Sequence, residues 1–139
     1  MIINKVGAII VNDDRQMLVV RKNVSGRKTF IIPGGKPELG ETDHDTCKRE
    51  LQEELGVDTL ALTYFGTFEE RSEFEDALVK AIVYTVEVEG MPAPSSEIVE
   101  MAWVDGVSLA RGFDLGSILS RHVIPRLVCE GVLNSEVSQ

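Results

Sequence analysis

Three glutamates in the middle of the chain, Glu50, Glu53 and Glu54, have the spacing of residues on one face of a helix. At about 100° per residue, their side chains share an arc of about 100°, next to the arc of the apolar residues in the same segment. Carboxylates three or four residues apart repel one another, by about 4 kcal/mol for partly buried charges about 4 Å apart at an effective dielectric of about 20. A hard divalent cation such as Mg²⁺ or Mn²⁺ removes that repulsion, because it prefers oxygen ligands. The three residues are therefore candidate metal ligands; a solvated acidic face is the alternative for the helix taken alone.

The segment before this helix favours the metal-site interpretation. Pro33-Gly34-Gly35 lies just upstream, and Gly40-Glu41 ends a predicted loop between the two. Glycine accepts backbone conformations that other residues avoid, so its carbonyl and amide groups can come close to a metal ion or a phosphate. A purely structural turn needs fewer glycines.

The combined pattern resembles the signature of the Nudix hydrolases. Gly35, Glu41 and the run RELQEELGV over 49–57 fit G-x5-E-x7-R-E-U-x-E-E-x-G-U, where U is an aliphatic residue. Every specified position is met, with Leu51 and Val57 as the two aliphatic residues. The order of strands and helices also resembles the Nudix fold, which implies an α/β protein, an α/β/α sandwich around a mixed β-sheet.

The resemblance implies roles for the residues of the signature. Glu50, Glu53 and Glu54 would bind the catalytic Mg²⁺ ions, with the carbonyl of Gly34 as a further ligand. Glu41 would act behind them, through hydrogen bonds to water or to a ligand residue.

Two further roles follow from the same resemblance. Arg49 would orient one of the ligand glutamates through charge-assisted hydrogen bonds. Glu53 is the first candidate for the general base, and a glutamate from a later loop is the competitor. Glu97, which lies six residues before Trp103, is the predicted loop carboxylate, with Glu100 as the alternative. An ordinary surface charge is an equally open interpretation of Glu97.

The implied reaction is hydrolysis of a diphosphate linkage in a nucleoside diphosphate linked to a second group, by a metal-activated water. A nucleoside triphosphate, such as an oxidised deoxynucleotide, is the first expected substrate, because the chain is short. ADP-ribose or another nucleotide sugar is the second, and a non-catalytic Nudix module that senses nucleotides is the third interpretation. Lys22 and Arg21 are candidates for contact with a substrate phosphate. Phe30, Tyr64 and Phe68 are candidates for a wall against the base, with a place in the hydrophobic core as the alternative for each.

Composition and charge limit the expected partners. The chain has 139 residues, with 14 Lys and Arg against 23 Asp and Glu, which gives a formal net charge of −9. So acidic a surface repels long nucleic acids and anionic membranes. The small nucleotide expected as the partner is what the resemblance implies. The length predicts a single domain over 1–139, which the resemblance identifies as a Nudix domain. Monomer and homodimer both stay open. The lack of a membrane-spanning run and of a signal peptide predicts a cytoplasmic protein.

The elements that must position these residues follow from periodicity and turn signals. Apolar runs rich in β-branched residues predict strands over 6–11, 17–20, 29–32, 60–68, 77–88 and 102–104. Thr42 predicts the N-terminus of the signature helix, and Gly56 predicts its C-terminus. Apolar spacing predicts a second helix over 115–130, with Pro125 distorting its middle and a frayed end over 134–139.

Overall fold

The computed structural model describes residues 1–24, 26–73 and 75–135. Within these ranges the strands are β1 (Ile2–Ile9), β2 (Met17–Lys22), β3 (Gly34–Gly35), β4 (Asp58–Arg71), β5 (Leu78–Glu89) and β6 (Ile98–Val104). The helices in the same ranges are α1 (Asp43–Leu55), α2 (Gly106–Ala110) and α3 (Ile124–Cys129). A π-helical segment, Leu119–Val123, immediately precedes α3.

The strands form a mixed four-stranded sheet and a separate two-stranded sheet. The larger sheet has the order β3-β1-β5-β4, in which β1 and β5 are parallel and the other neighbours are antiparallel. The smaller sheet pairs β2 with β6 in antiparallel fashion. Helix α1 packs against one side of this assembly, and the π-helical segment with α3 packs against the other. The predicted α/β/α sandwich around a mixed sheet is therefore confirmed.

Successive side chains of β1 point to opposite faces of the sheet, which explains why the core has two clusters. Val6 and Ala8 belong to the cluster on the α1 side, whereas Ile9 belongs to the cluster on the α3 side. The α1 side also contains the predicted apolar stripe of the helix, which is buried: Cys47, Leu51 and Leu55. The strand thus divides its side chains between two helical layers.

The strand predicted over 29–32 does not form, and isolated bridges occur there instead. β3 lies inside the predicted loop and pairs with β1. Gly34 makes this pairing possible, because its φ is 138° and a Cβ there would lie 1.9 Å from the carbonyl oxygen of Val6. The glycines of this segment therefore build a strand edge as well as a turn.

Helix α2 is not predicted by the sequence analysis. Asp105 caps it, since its carboxylate accepts hydrogen bonds from the N–H groups of Val107 at 2.9 Å and Ser108 at 3.2 Å. The helix has five residues and none of them is buried. Hydrophobic periodicity therefore gives no signal for it.

The C-terminal helix is irregular around Pro125, as predicted. In the π-helical segment, the N–H of Ile124 donates to the carbonyl of Leu119, five residues earlier. A proline ring clashes with the carbonyl four residues before it in a regular α-helix, and a π-helical turn relieves this clash. No helix in the described ranges is long and apolar enough to cross a membrane.

Asn134 is fixed in place, although the sequence predicts fraying from this residue onward. Its side-chain amide donates to the carbonyl of Asp14 at 2.8 Å and to the carboxylate of Asp105 at 3.1 Å. Its backbone N–H donates to the carbonyl of Arg15 at 3.1 Å. These partners come from the turn after β1 and from the start of α2, so local composition does not reveal them. Residues 136–139, the rest of that prediction, lie outside the described residues.

Candidate active site

A cavity of about 570 Å³ opens between the mixed sheet, the segment that precedes α1 and the start of the C-terminal helix. Part of its lining is aliphatic: Ile3, Ile32, Val79, Ala81, Ile118 and Leu119. Other lining residues carry charge, among them Lys22, Arg49, Glu50 and Glu97. The cavity therefore combines apolar walls with many ionisable groups of both signs.

Helix α1 carries the signature glutamates, and hydrogen bonds at both ends fix its position. Thr42 Oγ1 accepts from the N–H of Asp45 at 3.1 Å, and the Asp45 carboxylate accepts from the N–H of Thr42 at 3.2 Å. This reciprocal pair is a capping box. Gly56 ends the helix in the left-handed conformation, with φ at 67°. Both predicted helix ends are confirmed.

The three signature glutamates differ in their surroundings. Glu50 and Glu54 are buried, whereas the side chain of Glu53 is 51% exposed. β3 lies against the buried pair, and the N–H of Gly34 donates to Glu54 Oε1 at 3.1 Å. A Cβ at Gly35 would lie 1.9 Å from Glu50 Oε2, so glycine is the residue that leaves room for this carboxylate. The backbone of β3 thus defines where the two buried carboxylates lie.

Glu54 has one oxygen without a hydrogen bond. Its Oε2 is buried and accepts from no described residue, and Nζ of Lys22 lies 3.9 Å away. Burial raises the pKa of Glu54 to about 7, although the charge of Lys22 acts in the opposite direction. Burial also raises the pKa of Glu50. A buried carboxylate oxygen without a partner is unfavourable, and a bound cation would remove that cost.

Arg49 links the loop before the helix to the signature glutamates. Its Nε donates to Glu41 Oε2 at 2.7 Å and its Nη2 donates to Glu41 Oε1 at 3.0 Å. Its Nη1 donates to Glu50 at 2.6 Å and to Glu53 at 3.1 Å, and its Nη2 also donates to the carbonyl of Lys36. The hydrogen bond with Arg49 is the main reason why the pKa of Glu41 is lowered to about 2. Arg49 thus contacts Glu41 and two signature glutamates at once, and its orienting role stays a prediction.

The carboxylates suit a hard cation in their chemistry, but they do not converge. Among the described residues, no group of three His, Cys, Asp or Glu side chains is arranged to hold a metal ion. Nη1 of Arg49 pairs with both Glu50 and Glu53. The unpaired Oε2 of Glu54 and the all-oxygen donor set nevertheless fit Mg²⁺ or Mn²⁺. Glu50 and Glu54 could hold such an ion directly, and Glu53 could join them after leaving Arg49. Gly34 contacts this group through its N–H, and a role for its carbonyl stays a prediction.

Lys22 and Glu97 lie together at the cavity, with 3.2 Å between Nζ and Oε1. Arg21 and Glu100 form a separate ion pair at 2.9 Å, and these two described residues lie outside the cavity lining. Successive side chains of a strand point to opposite faces, which separates Lys22 from Arg21. The geometry therefore favours Glu97 over Glu100 as the loop carboxylate, and Lys22 over Arg21 as a contact for phosphate.

The three aromatic candidates for a base wall, all within the described ranges, lie away from the cavity lining. Phe30 is buried and packs against Phe113, with 5.2 Å between ring centroids. Phe68 stacks on His122 at 5.1 Å, and Tyr64 is exposed. The prediction of an aromatic wall is wrong for this cavity, which aliphatic side chains from the sheet and the C-terminal helix line instead.

Lys5 lines the cavity, although the sequence analysis does not single it out. It lies on β1 opposite Ala81, and its Nζ donates to the carbonyl of Ile32 at 3.4 Å. Burial lowers the pKa of Lys5 to about 8, and the positive charge of Lys22 acts in the same direction. The sequence signal is weak, since a lone lysine in a mostly apolar strand belongs to no motif.

Known proteins are similar to this chain in sequence and in fold. A family model described as the NUDIX domain matches residues 1–126. An ADP-ribose pyrophosphatase of Methanocaldococcus jannaschii is 32% identical over 85 residues, which are 61% of this chain and 50% of the relative. An 8-oxo-dGTP diphosphatase of Escherichia coli K12 is 34% identical over 82 residues, which are 57% of this chain and 61% of the relative. The chain thus spans less than two thirds of the length of these curated relatives.

A solved structure resembles nearly the whole chain. The MutT protein of Methanosarcina mazei Go1 superimposes with a TM-score of 0.78 at 25% identity. The match covers 94% of this chain and 95% of that protein. The similarity therefore includes both helical layers and the sheet between them.

Proposed function

The chain belongs to the Nudix family, and we propose that it hydrolyses the diphosphate linkage of a nucleoside diphosphate linked to a second group. The first proposed substrate is a nucleoside triphosphate such as an oxidised deoxynucleotide. The observation that carries the proposal is the placement of two buried carboxylates, Glu50 and Glu54, against β3 next to the cavity. The similarity to a relative named as an 8-oxo-dGTP diphosphatase supports a triphosphate substrate.

Mg²⁺ is the proposed cofactor, with Mn²⁺ as a substitute. Glu50, Glu53 and Glu54 would hold it, with the carbonyl of Gly34 as a further ligand. When bound, such an ion offsets the charge of the phosphates and acidifies a water molecule. The chain itself contributes the positions of the carboxylates. The backbone of β3 packs against Glu50 and Glu54, whereas Glu53 would have to give up its hydrogen bond with Arg49 to join them.

Glu53 is the proposed general base. Its exposed carboxylate can accept a proton from an attacking water and release it to solvent. Glu97 is the alternative, because it reaches the cavity from the loop before β6. Glu41 would act through Arg49, whose guanidinium it fixes by two hydrogen bonds. No nucleophilic side chain is required, since water is the nucleophile.

The shape of the cavity supports a mononucleotide as the ligand. Its volume of about 570 Å³ lies within the usual range for sites that enclose small molecules. Aliphatic residues offer a wall for a base, and Lys22 offers a cation for a phosphate. ADP-ribose is the second candidate substrate, supported by the relative that is named as an ADP-ribose pyrophosphatase.

The test is a hydrolysis screen with Mg²⁺ in which 8-oxo-dGTP, dGTP and ADP-ribose are compared at equal concentration. Chromatography would detect the nucleoside monophosphate that each reaction releases, and Glu53→Gln would control for contaminating hydrolases. We expect the triphosphates to be hydrolysed faster than ADP-ribose. A preference for ADP-ribose would support the second candidate. Nucleotide binding without hydrolysis, with Mg²⁺ or Mn²⁺, would contradict catalysis and support a sensing module.

A further inference from the structure

Lys5 lines the cavity and, among the described residues, has no partner of opposite charge. Side chains alternate along β1, and Ile3 and Lys5 both face the cavity. The ammonium group forms no ion pair with any described residue, and its hydrogen bond to the carbonyl of Ile32 is long, at 3.4 Å. An ammonium has three N–H donors, and leaving them unsatisfied in a partly buried position is unfavourable. The structure therefore leaves Lys5 with unused capacity to donate.

Two other cations of the cavity lining already have partners, and a third, Lys36, is exposed to solvent. Lys22 pairs with Glu97 at 3.2 Å, and Arg49 pairs with Glu41 at 2.7 Å. Lys5 is influenced from a greater distance by the negative charges of the buried glutamates and of Glu97. If a divalent cation neutralises those carboxylates, the charge of Lys5 is left uncompensated inside the cavity. An anionic group of the ligand would restore the balance.

We propose that Lys5 donates a hydrogen bond to the phosphate that is attached directly to the nucleoside. The inference rests on the proposed function, because it takes the ligand to be a nucleotide. The position of Lys5 favours this phosphate over the others. Lys5 lies beside Ile3 and Ala81 of the aliphatic wall, where a base would pack, and it is close enough to Glu50 and Glu54 for their charges to act on it. The phosphate nearest the nucleoside lies between a base on that wall and phosphates at the carboxylates.

The test compares a nucleotide with the nucleoside that lacks its phosphate. Dissociation constants of dGMP and deoxyguanosine would be measured by calorimetry with Mg²⁺ present, for the unmodified protein, Lys5→Met and Lys80→Met. Lys80 is the matched control, since it lies on β5 opposite Asn4 and outside the cavity lining. We expect Lys5→Met to weaken dGMP binding by about tenfold or more, with little effect on deoxyguanosine. Lys80→Met should change neither constant.

Two outcomes would overturn the assignment of Lys5. Equal weakening of both ligands by Lys5→Met would place the ammonium at the base or the sugar. Unchanged binding of dGMP, or no binding of dGMP by the unmodified protein, would exclude the phosphate contact. The hydrolysis screen is an independent measurement, because it follows turnover and not binding. Absence of hydrolysis together with dGMP binding that depends on Lys5 would contradict the proposed function alone.

A second measurement avoids any loss of stability in the variant. The ammonium signal of Lys5 would be followed by ¹⁵N-resolved NMR in the unmodified protein and identified by its absence from the spectrum of Lys5→Met. Saturating dGMP should shift this signal, and deoxyguanosine should leave it nearly unchanged. A signal that dGMP does not move would overturn the proposal.

Discussion

Arg49 and Glu41 are joined by two hydrogen bonds, from Nε to Oε2 at 2.7 Å and from Nη2 to Oε1 at 3.0 Å. Such a two-point contact fixes the plane of the guanidinium as well as its distance. The same guanidinium donates to Glu50 at 2.6 Å. Glu41 is fixed in turn by helix α1, because Thr46 Oγ1 donates a hydrogen bond to Glu41 Oε1 at 3.0 Å. The position of a buried signature carboxylate therefore depends on a residue in the loop before α1.

The Arg49–Glu41 contact predicts a loss of stability on the acid side. The pKa of Glu41 is lowered from 4.5 to about 2 in the folded protein, mainly by Arg49. A carboxylate with a lowered folded-state pKa stabilises the fold above pH 4.5, and this stabilisation disappears as the pH falls toward 2. The melting temperature of the unmodified protein should therefore fall more steeply between pH 5 and pH 3 than that of Glu41→Gln.

A neighbouring acidic residue supplies the control for this comparison. Glu38 is exposed and lies farther from the guanidinium, with 3.6 Å between Oε1 and Nε of Arg49. The melting temperature of Glu38→Gln should fall as steeply between pH 5 and pH 3 as that of the unmodified protein. If the melting temperatures of Glu41→Gln and Glu38→Gln fell equally with pH, the lowering of the Glu41 pKa by Arg49 would be wrong.

The proposed base predicts a loss of turnover without a loss of fold. Glu53→Gln should lower kcat by about 100-fold or more, because a positioned base contributes about that much or more to such reactions. Its melting temperature should stay close to that of the unmodified protein, since the side chain is half exposed. Glu89→Gln, on the exposed end of β5, is the control. Near-normal turnover by Glu53→Gln with Mg²⁺ as the only metal would contradict the role of this residue.

Metal binding predicts a stabilisation that depends on pH. A ligand at 100 times its dissociation constant adds about 2.7 kcal/mol to the free energy of unfolding. Burial raises the pKa of Glu54 to about 7, and this carboxyl must lose its proton before it can bind a cation. The rise in melting temperature with Mg²⁺ should therefore be larger at pH 8 than at pH 6. Glu50→Gln/Glu54→Gln should lose most of this rise. Equal rises in both proteins would mean that the ion binds elsewhere.

Local signals predicted the parts of the site that local interactions build. Thr42 and Asp45 cap the signature helix through bonds three residues apart, and Gly56 ends it with its own backbone conformation. These features need no knowledge of the rest of the chain. The signature itself has fixed spacing, so it identified the three glutamates and Arg49 as candidate site residues.

The features that sequence analysis missed depend on contacts between distant segments. Lys5 enters the cavity because β1 pairs in parallel with β5 and because Ile32, 27 residues later, offers its carbonyl. β3 forms because β1 leaves an edge that glycine can approach closely. The burial of Glu54 next to an exposed Glu53 likewise depends on how the helix is rotated against the sheet. Periodicity gives the relative positions of residues on a helix, but not this rotation.

The charge of the chain predicts a small nucleotide as substrate over a 5′-triphosphorylated RNA. Contacts to phosphates dominate the affinity for nucleic acids, and a net charge of −9 opposes them outside the cavity. Among the described residues that line the cavity, glutamates are as numerous as lysines and arginines, so the lining offers a long polyanion no net positive charge. Values of kcat/KM for 8-oxo-dGTP, dGTP and a short 5′-triphosphorylated RNA should be compared at one salt concentration. We expect the RNA to be at least about tenfold poorer than the better mononucleotide. An RNA preferred by tenfold or more would contradict the charge argument, and the substrate class proposed for this chain would have to be abandoned with it.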